Sequence, residues 1–353
     1  MRENRPSSVG DVAAVFVRNV GFYRPLVSLS FAANYRVSGL NPFAYGLTNL
    51  ALALLDAALL YALARRFTLP AGAALLGTAV WLFNFHGINM AILWLSGRTA
   101  LLVCLFTLCT AHAWASRHRA LAGMCCLCAL FCKEEAVLVP AFFAAVAFLD
   151  AHGSSRIRSA AIGSWPLWLS LAVYALLRAN SGAFGPVSAP AEYQFTFAPP
   201  AIARNILEYL DRGASLAVVV VAVLAILARR VPRTNEPERR IVVFGACWFV
   251  AFYLITIFLP VRSSLYATLP SIGSALIVAG VASAAARVEP ARFRRAATGL
   301  LILAILLVPI YRQRNIRWVS LADLSAGVMR QVRLAAATEG ETGSILLVDD
   351  LRS

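Results

Sequence analysis

Charge is what this sequence has least of. Asp, Glu, Lys and Arg make up 14% of its 353 residues, against about 25% in a soluble domain. Hydrophobic residues make up 60%, above the usual ~45–50%. One buried core cannot absorb that excess, because single cores stop growing near ~250–300 residues. A soluble globular domain is therefore excluded, and lipid is the solvent that fits. Strand-like alternation is also lacking, which excludes a transmembrane barrel. There is no phosphate-cradling glycine loop, no HExxH and no nucleophile elbow. The polar stretch Met1–Gly10 has no apolar signal-peptide core.

Long apolar runs are what the sequence does have. A helix needs ~20 mostly apolar residues to cross the hydrocarbon, and lipid offers no partner for an unpaired backbone group. Ten spans are expected: 42–64, 70–90, 99–116, 119–132, 135–150, 160–178, 213–229, 241–260, 266–286 and 295–311. The fold class is then all-α, a polytopic transmembrane bundle of about ten helices. Residues 1–41 read as an interfacial segment, 42–311 as the membrane domain and 312–353 as a short tail that looks clipped.

The net charge of +15 belongs to the loops rather than to a nucleic-acid face, since no basic surface with interleaved aromatics occurs. One set of alternate loops holds Arg65, Arg66, Arg117, Arg119, Arg156, Arg158, Arg229, Arg230, Arg233, Arg239, Arg240, Arg287, Arg292, Arg294 and Arg295. The other holds only Arg98, Lys133, Arg178, Arg204, Arg212 and Arg262. Arginine-rich loops stay in the cytoplasm, so the second set is expected outside. The spans at 119–132 and 135–150 are short. Read as one tilted helix they would reverse every later loop and weaken the bias, so a hairpin is the expectation. Residues 1–41 and 312–353 then fall outside. A translocated forty-residue amino segment implies a helix ahead of Met1. The alternative is that 10–22 or 25–38 inserts as a poor span, against the presence of Arg18, Arg24 and Arg36.

All seven cysteines lie in expected spans. Cys125, Cys128 and Cys132 share a helical face, and small apolar packing is their expected role. No metal site is assigned. No cofactor is certain, and a divalent metal stays open.

Polar groups inside a span usually face a partner or a cavity. Asp56 sits mid-helix, with Asn49 on the same face and Tyr45 a turn earlier. Interhelical glue is the expected role. The outer span ends are richer: Tyr23 and Arg24, His86 and Asn89, Arg98, Lys133-Glu134-Glu135, and Arg262 with Tyr266. Basic groups beside carboxylates suit an anionic head group such as phosphate, though helix ends anchored at the head-group layer would look the same.

These outer-end residues carry a resemblance. Tyr23-Arg24-Pro25-Leu26, Leu40-Asn41-Pro42-Phe43 with Asn49, Trp94-Leu95-Ser96-Gly97-Arg98, Lys133-Glu134 and Leu269-Pro270-Ser271-Ile272-Gly273 occur in that order. Over roughly residues 20–280 they resemble the tetratricopeptide-linked membrane O-mannosyltransferases and their bacterial relatives. The resemblance implies the GT-C fold, an active site at the extracytoplasmic face and a polyprenyl-phosphate sugar donor. It also implies a catalytic acid in the first external loop and basic residues on the lipid phosphate. Here Asp11 does not match the family's acidic pair. Phe85-His86-Gly87-Ile88-Asn89-Met90 places the histidine one position off and Met90 where the family has glutamate. Only Tyr266 and nearby Arg262 match the motif before Leu269-Pro270, and no tetratricopeptide repeats follow.

The expected function is transfer of a sugar from that donor, with the phosphate against Arg98, Lys133 and Arg262. Glu134 or Glu135 would orient the lysine or bind the acceptor, and Tyr23, Arg24, His86, Asn89 and Tyr266 would complete the site. The base would lie upstream of Met1 or at Asp11, or catalysis would be lost in this chain. The alternative is a non-enzymatic polytopic protein, a lipid or solute transporter or an envelope-assembly scaffold. The expected location is a bacterial inner membrane.

Overall fold

The structure, a computed structural model, describes residues 9–17, 21–151, 155–185, 188–227 and 233–339. Its helices are α1 (Val9–Val17), α2 (Pro25–Ser38), α3 (Pro42–Arg66), α4 (Ala71–Leu82), α5 (Gly87–Leu93), α6 (Arg98–Ala115), α7 (Arg119–Leu130), α8 (Val139–Asp150), α9 (Arg156–Ala179), α10 (Pro199–Leu227), α11 (Glu236–Tyr253), α12 (Ser271–Val288) and α13 (Pro290–Glu339). Among the described residues there is no sheet, only an isolated bridge between Gly21 and Ala183. The chain forms two compact units, Met1–Leu300 and Leu301–Ser353. The described part of the second unit is the continuation of α13. The rest of the description concerns the first.

The protein is an all-α bundle and a multi-pass integral membrane protein. Among the described residues, six segments are long and apolar enough to cross a membrane: Pro42–Arg66, Leu95–Ala115, Arg156–Ala179, Pro199–Ile226, Glu236–Phe258 and Ser264–Val288. A seventh is the pair α4 and α5, bent by 62° at their break. The division into ten spans changes accordingly. The run 119–150 makes two helices of 12 residues each, short of the ~20 a span needs. The run 295–311 is the early part of α13, several of whose side chains lie outside the described set.

The hairpin at 119–150 is real. Going up α9, Pro166 and Ser170 meet Gly123, Tyr174 meets Phe131, and Arg178 reaches Glu134. On α8, Ala147 lies beside Gly163 near the other end of α9. So α7 runs parallel to α9, and α8 runs back. The reversal falls at Lys133, whose extended backbone (φ −161°, ψ 146°) leads into a 3-10 turn over Glu134–Leu138. Three consecutive charged residues cannot continue a helix into lipid without partners.

Contacts along the chain sort the ends. Arg66 bonds His112 and Ser116, joining the carboxyl ends of α3 and α6. Arg240 with Asp150, and Arg287 with Glu238, lie at this same end. Arg98, Lys133, Arg178, Arg212 and Arg262 lie at the opposite end.

Two breaks at that opposite end are closed by side chains. Asn84 Oδ1 accepts from the backbone N–H groups of His86 and Gly87, and its Nδ2 donates to the Arg212 carbonyl. Before α12, Pro270 has no N–H to offer. The indoles of Trp81 and Trp248 donate to the carbonyls of Thr268 and Leu269, which precede it, at 3.0 and 2.8 Å. Buried backbone groups need such partners in lipid.

The tightest packing joins α11 to α12 through two glycines. A Cβ on Gly273 would strike the Gly245 carbonyl and lie 2.6 Å from the Phe249 backbone nitrogen. Small residues at such crossings are the usual device of membrane helices. Gly273→Ala is expected to lower stability by about 1–3 kcal/mol. Gly299→Ala, with open space around it, is expected to leave stability unchanged or slightly raised. Thermal unfolding in nanodiscs checks both.

Candidate functional site

The charged residues of the outer span ends form four settings, three of them connected. In the first, Arg24 Nη2 donates to Glu134 Oε2 at 2.7 Å and its Nε does so at 3.2 Å. Arg178 Nη1 lies 3.7 Å from Glu134 Oε1 and donates at 2.7 Å to the Tyr174 hydroxyl. Arg24 also stacks over Phe22, which packs on Phe184 and Tyr193. Burial presses the Glu134 carboxyl toward its neutral form, but Arg24 and then Arg178 outweigh that and hold it below the ordinary glutamate value of 4.5.

That shift has a testable sign. A depressed carboxyl contributes stability above its ordinary value, and the contribution disappears as pH falls through the folded value. Arg24→Gln is expected to cost about 1 kcal/mol near neutrality, screening of the partly exposed pair included. It is also expected to flatten the acid limb of the stability profile below 4.5. Unfolding temperature against pH reads both effects.

The second setting is the adjacent pair. Lys133 Nζ lies 2.7 Å from Glu135 Oε1, with both side chains almost fully buried. The same ammonium sits over the Tyr266 ring, 4.6 Å from its centroid. The approach of the pair is close but poorly angled. Among the described residues, Lys133 Nζ and the Glu135 oxygens have no well-aligned hydrogen bond beyond this ion pair. Burial pushes the Glu135 carboxyl up, and Lys133 only partly offsets it. Lys133 is the only lysine in the sequence.

The third setting gathers arginines on Glu208. Arg204, Arg212 and Arg262 lie 3.0, 3.1 and 3.5 Å from its carboxylate oxygens. Three cations share one anion, and among the described residues the buried Arg212 Nη1 has no hydrogen-bond acceptor. Tyr209 links this cluster to the second setting, edge-on to Tyr266 at 6.4 Å and stacked on Tyr253 at 5.0 Å. Tyr209 and Tyr253 also line an apolar groove of about 230 Å³ between α10 and α11, with Ile206, Leu210, Phe249, Val250, Leu254 and Ile257.

Arg98 is the fourth setting and stands apart. It is fully buried. Its Nε donates to Asn49 Oδ1, its Nη1 to Asn34 and the Ser30 carbonyl, and its Nη2 to the Tyr45 carbonyl. Asn49 Nδ2 donates to the carbonyls of Ala91, Trp94 and Leu95. Arg98 and Asn49 thus tie α2, α3, α5 and α6 together. The glycine of Ser96-Gly97-Arg98 allows this, since a Cβ there would strike the Ala91 carbonyl.

The sequence-derived candidates therefore separate. Arg24, Lys133, Glu134, Glu135, Arg262 and Tyr266 come together. Tyr23 is buried among Phe131 and Tyr174, its hydroxyl donating to the Phe16 carbonyl at 2.7 Å. His86 lies in the α4–α5 break and Asn89 in α5. Asp56 is buried in α3. Asp11 falls in α1, and its side chain lies outside the described set. Arg178, Glu208, Arg212 and Tyr209 were not singled out beforehand. The three cations of the sparse outer set that sequence reasoning left without a role (Arg178, Arg204 and Arg212) all turn up here, which was the available signal.

Among the described residues, no three His, Cys, Asp or Glu side chains converge as a metal site. The nearest carboxylates are each opposed by arginine or lysine, a donor set that does not suit a divalent cation. Comparison with family models, curated proteins and solved structures gives no match for this chain.

Proposed function

We propose that this chain is a membrane glycosyltransferase of the GT-C kind, taking a sugar from a polyprenyl-phosphate donor at the extracytoplasmic face of a bacterial inner membrane. The observation that carries the reading is the Lys133–Glu135 pair, buried, incompletely bonded and flanked by a surplus of arginine. The donor phosphate faces Lys133, Arg212 and Arg262, where three arginines share Glu208 and charge-assisted bonds to phosphate are strong. The apolar groove lined by Tyr209 and Tyr253 lies on α10, the helix that also carries Glu208 and Arg212, and suits the polyprenyl chain.

Glu135 is the group suited to take the acceptor's proton. Burial shifts its carboxyl up from the ordinary glutamate value, which makes it a stronger base. Glu134 is held ionised by two arginines and serves as an anchor. The acceptor hydroxyl attacks the anomeric carbon and its proton passes to Glu135. The bond from that carbon to the phosphate oxygen breaks, and polyprenyl phosphate leaves with the electron pair against Lys133 and Arg262.

The test uses the full-length protein in nanodiscs with polyprenyl-phosphate sugars, reading sugar transfer to acceptors by mass spectrometry. Transfer lost in Glu135→Gln and weakened in Arg262→Gln supports the reading. Absence of any transferred sugar with the wild-type protein overturns it. The second reading, a transporter, draws on the broken α4–α5 pair, since interrupted helices mark many transport sites. Uptake or flipping that depends on Asp56 would favour it.

A further inference from the structure

Asp56 lies in the middle of α3 and is fully buried. Among the described residues, neither of its carboxylate oxygens has a hydrogen-bond partner. The ionisable groups facing it are the thiols of Cys109 and Cys104 on α6. The sequences of α4 and α5, which also pack on α3, contain no ionisable side chain. On the remaining neighbours, Arg98 is engaged with Asn34 and Asn49, Arg287 with Glu238, and Arg36 is exposed. On α3 itself, Arg65 and Arg66 bond Leu69, His112 and Ser116. Among the described residues, no cation reaches the carboxyl. An unpaired carboxylate in such surroundings costs far more than the same group carrying a proton.

We propose that Asp56 is a proton-binding site inside the bundle: the carboxylic acid, not the carboxylate, is what packs between α3 and α6. The ligand is a single proton, held while the helices stay together and released only where water gains entry between them. Cys104 lies within electrostatic reach of both Asp56 and the Lys133–Glu135 pair. The proposal does not depend on glycosyl transfer, because Asp56 touches none of the residues assigned to it.

Infrared spectroscopy tests it directly, since a neutral carboxylic acid and a carboxylate absorb at separate frequencies. The full-length protein in lipid is compared with Asp56→Asn at neutral pH. The expected result is an acid carbonyl band in the wild type that is lost in the variant and keeps its intensity when sodium is added at constant pH. Identical spectra in that region overturn the proposal, because Asp56 is then ionised. A band bleached saturably by sodium also overturns it, because the site is then one for a cation. Unfolding temperature gives a second reading. Asparagine is neutral and of the same shape, so Asp56→Asn is expected to match the wild type. A large loss of stability means that a charge was needed and counts against the proposal.

Discussion

Lys133→Met is expected to destabilise the protein by about 3–5 kcal/mol, because removing one partner strands a buried charge. The pair is nearly sealed, with side-chain exposures of 5% and 4%, so solvent cannot rescue Glu135. The charge-neutral double variant, Lys133→Met with Glu135→Gln, is expected to recover most of the lost stability, since a matched apolar or neutral pair costs little where a broken ion pair costs much. Sugar transfer is expected to stay absent in the double variant. Thermal unfolding and transfer assays on the three proteins separate the roles. If the double variant stays as unstable as the single one, the lysine is held by more than its carboxylate. If it is stable and still transfers sugar, the pair is not the reacting centre. Lys133→Arg is no conservative control. The ammonium is a compact point charge over the Tyr266 ring, and a planar fork does not fit the same space.

The helical bundle was legible because lipid imposes one local rule, apolar length, on each span. The rule reads less well where helices are mutually supported. Both α7 and α8 are only 12 residues long and lie along α9, so their length answers to packing rather than to hydrocarbon thickness. The candidate site was half legible. Lys133-Glu134-Glu135 stands out because three charges interrupt an apolar run. Their division of labour was hidden. Glu134 is clamped by Arg24 and Arg178, more than 40 residues away on either side, while Glu135 is not, and sequence does not reveal which carboxylate a distant arginine will meet. Tyr23 and Asn49 show the converse difficulty. A polar residue near a span end looks the same whether it will bond a ligand or a carbonyl of its own chain.

Arg98 makes that difficulty measurable. By its motif it belongs on the donor phosphate. By its contacts it is a latch, donating to two asparagines and two carbonyls while its guanidinium lies 4.5 Å from the Phe31 ring centroid. Arg98→Ala is expected to lower stability by about 3–5 kcal/mol, because buried acceptors lose a charged donor. Arg98→Lys is expected to recover little, since one ammonium cannot reach acceptors spread around a planar fork. A phosphate ligand would behave differently. Arg262→Gln and Arg212→Gln remove partly exposed arginines and are expected to raise the donor KM with little change in unfolding temperature. The decisive comparison is therefore between the two kinds of loss. Should Arg98→Lys melt like the wild type while its donor KM rises, the latch is wrong and the guanidinium belongs to the phosphate. Should it melt early, with the folded fraction retaining its donor affinity, Arg98 acts on the protein by holding four helices together.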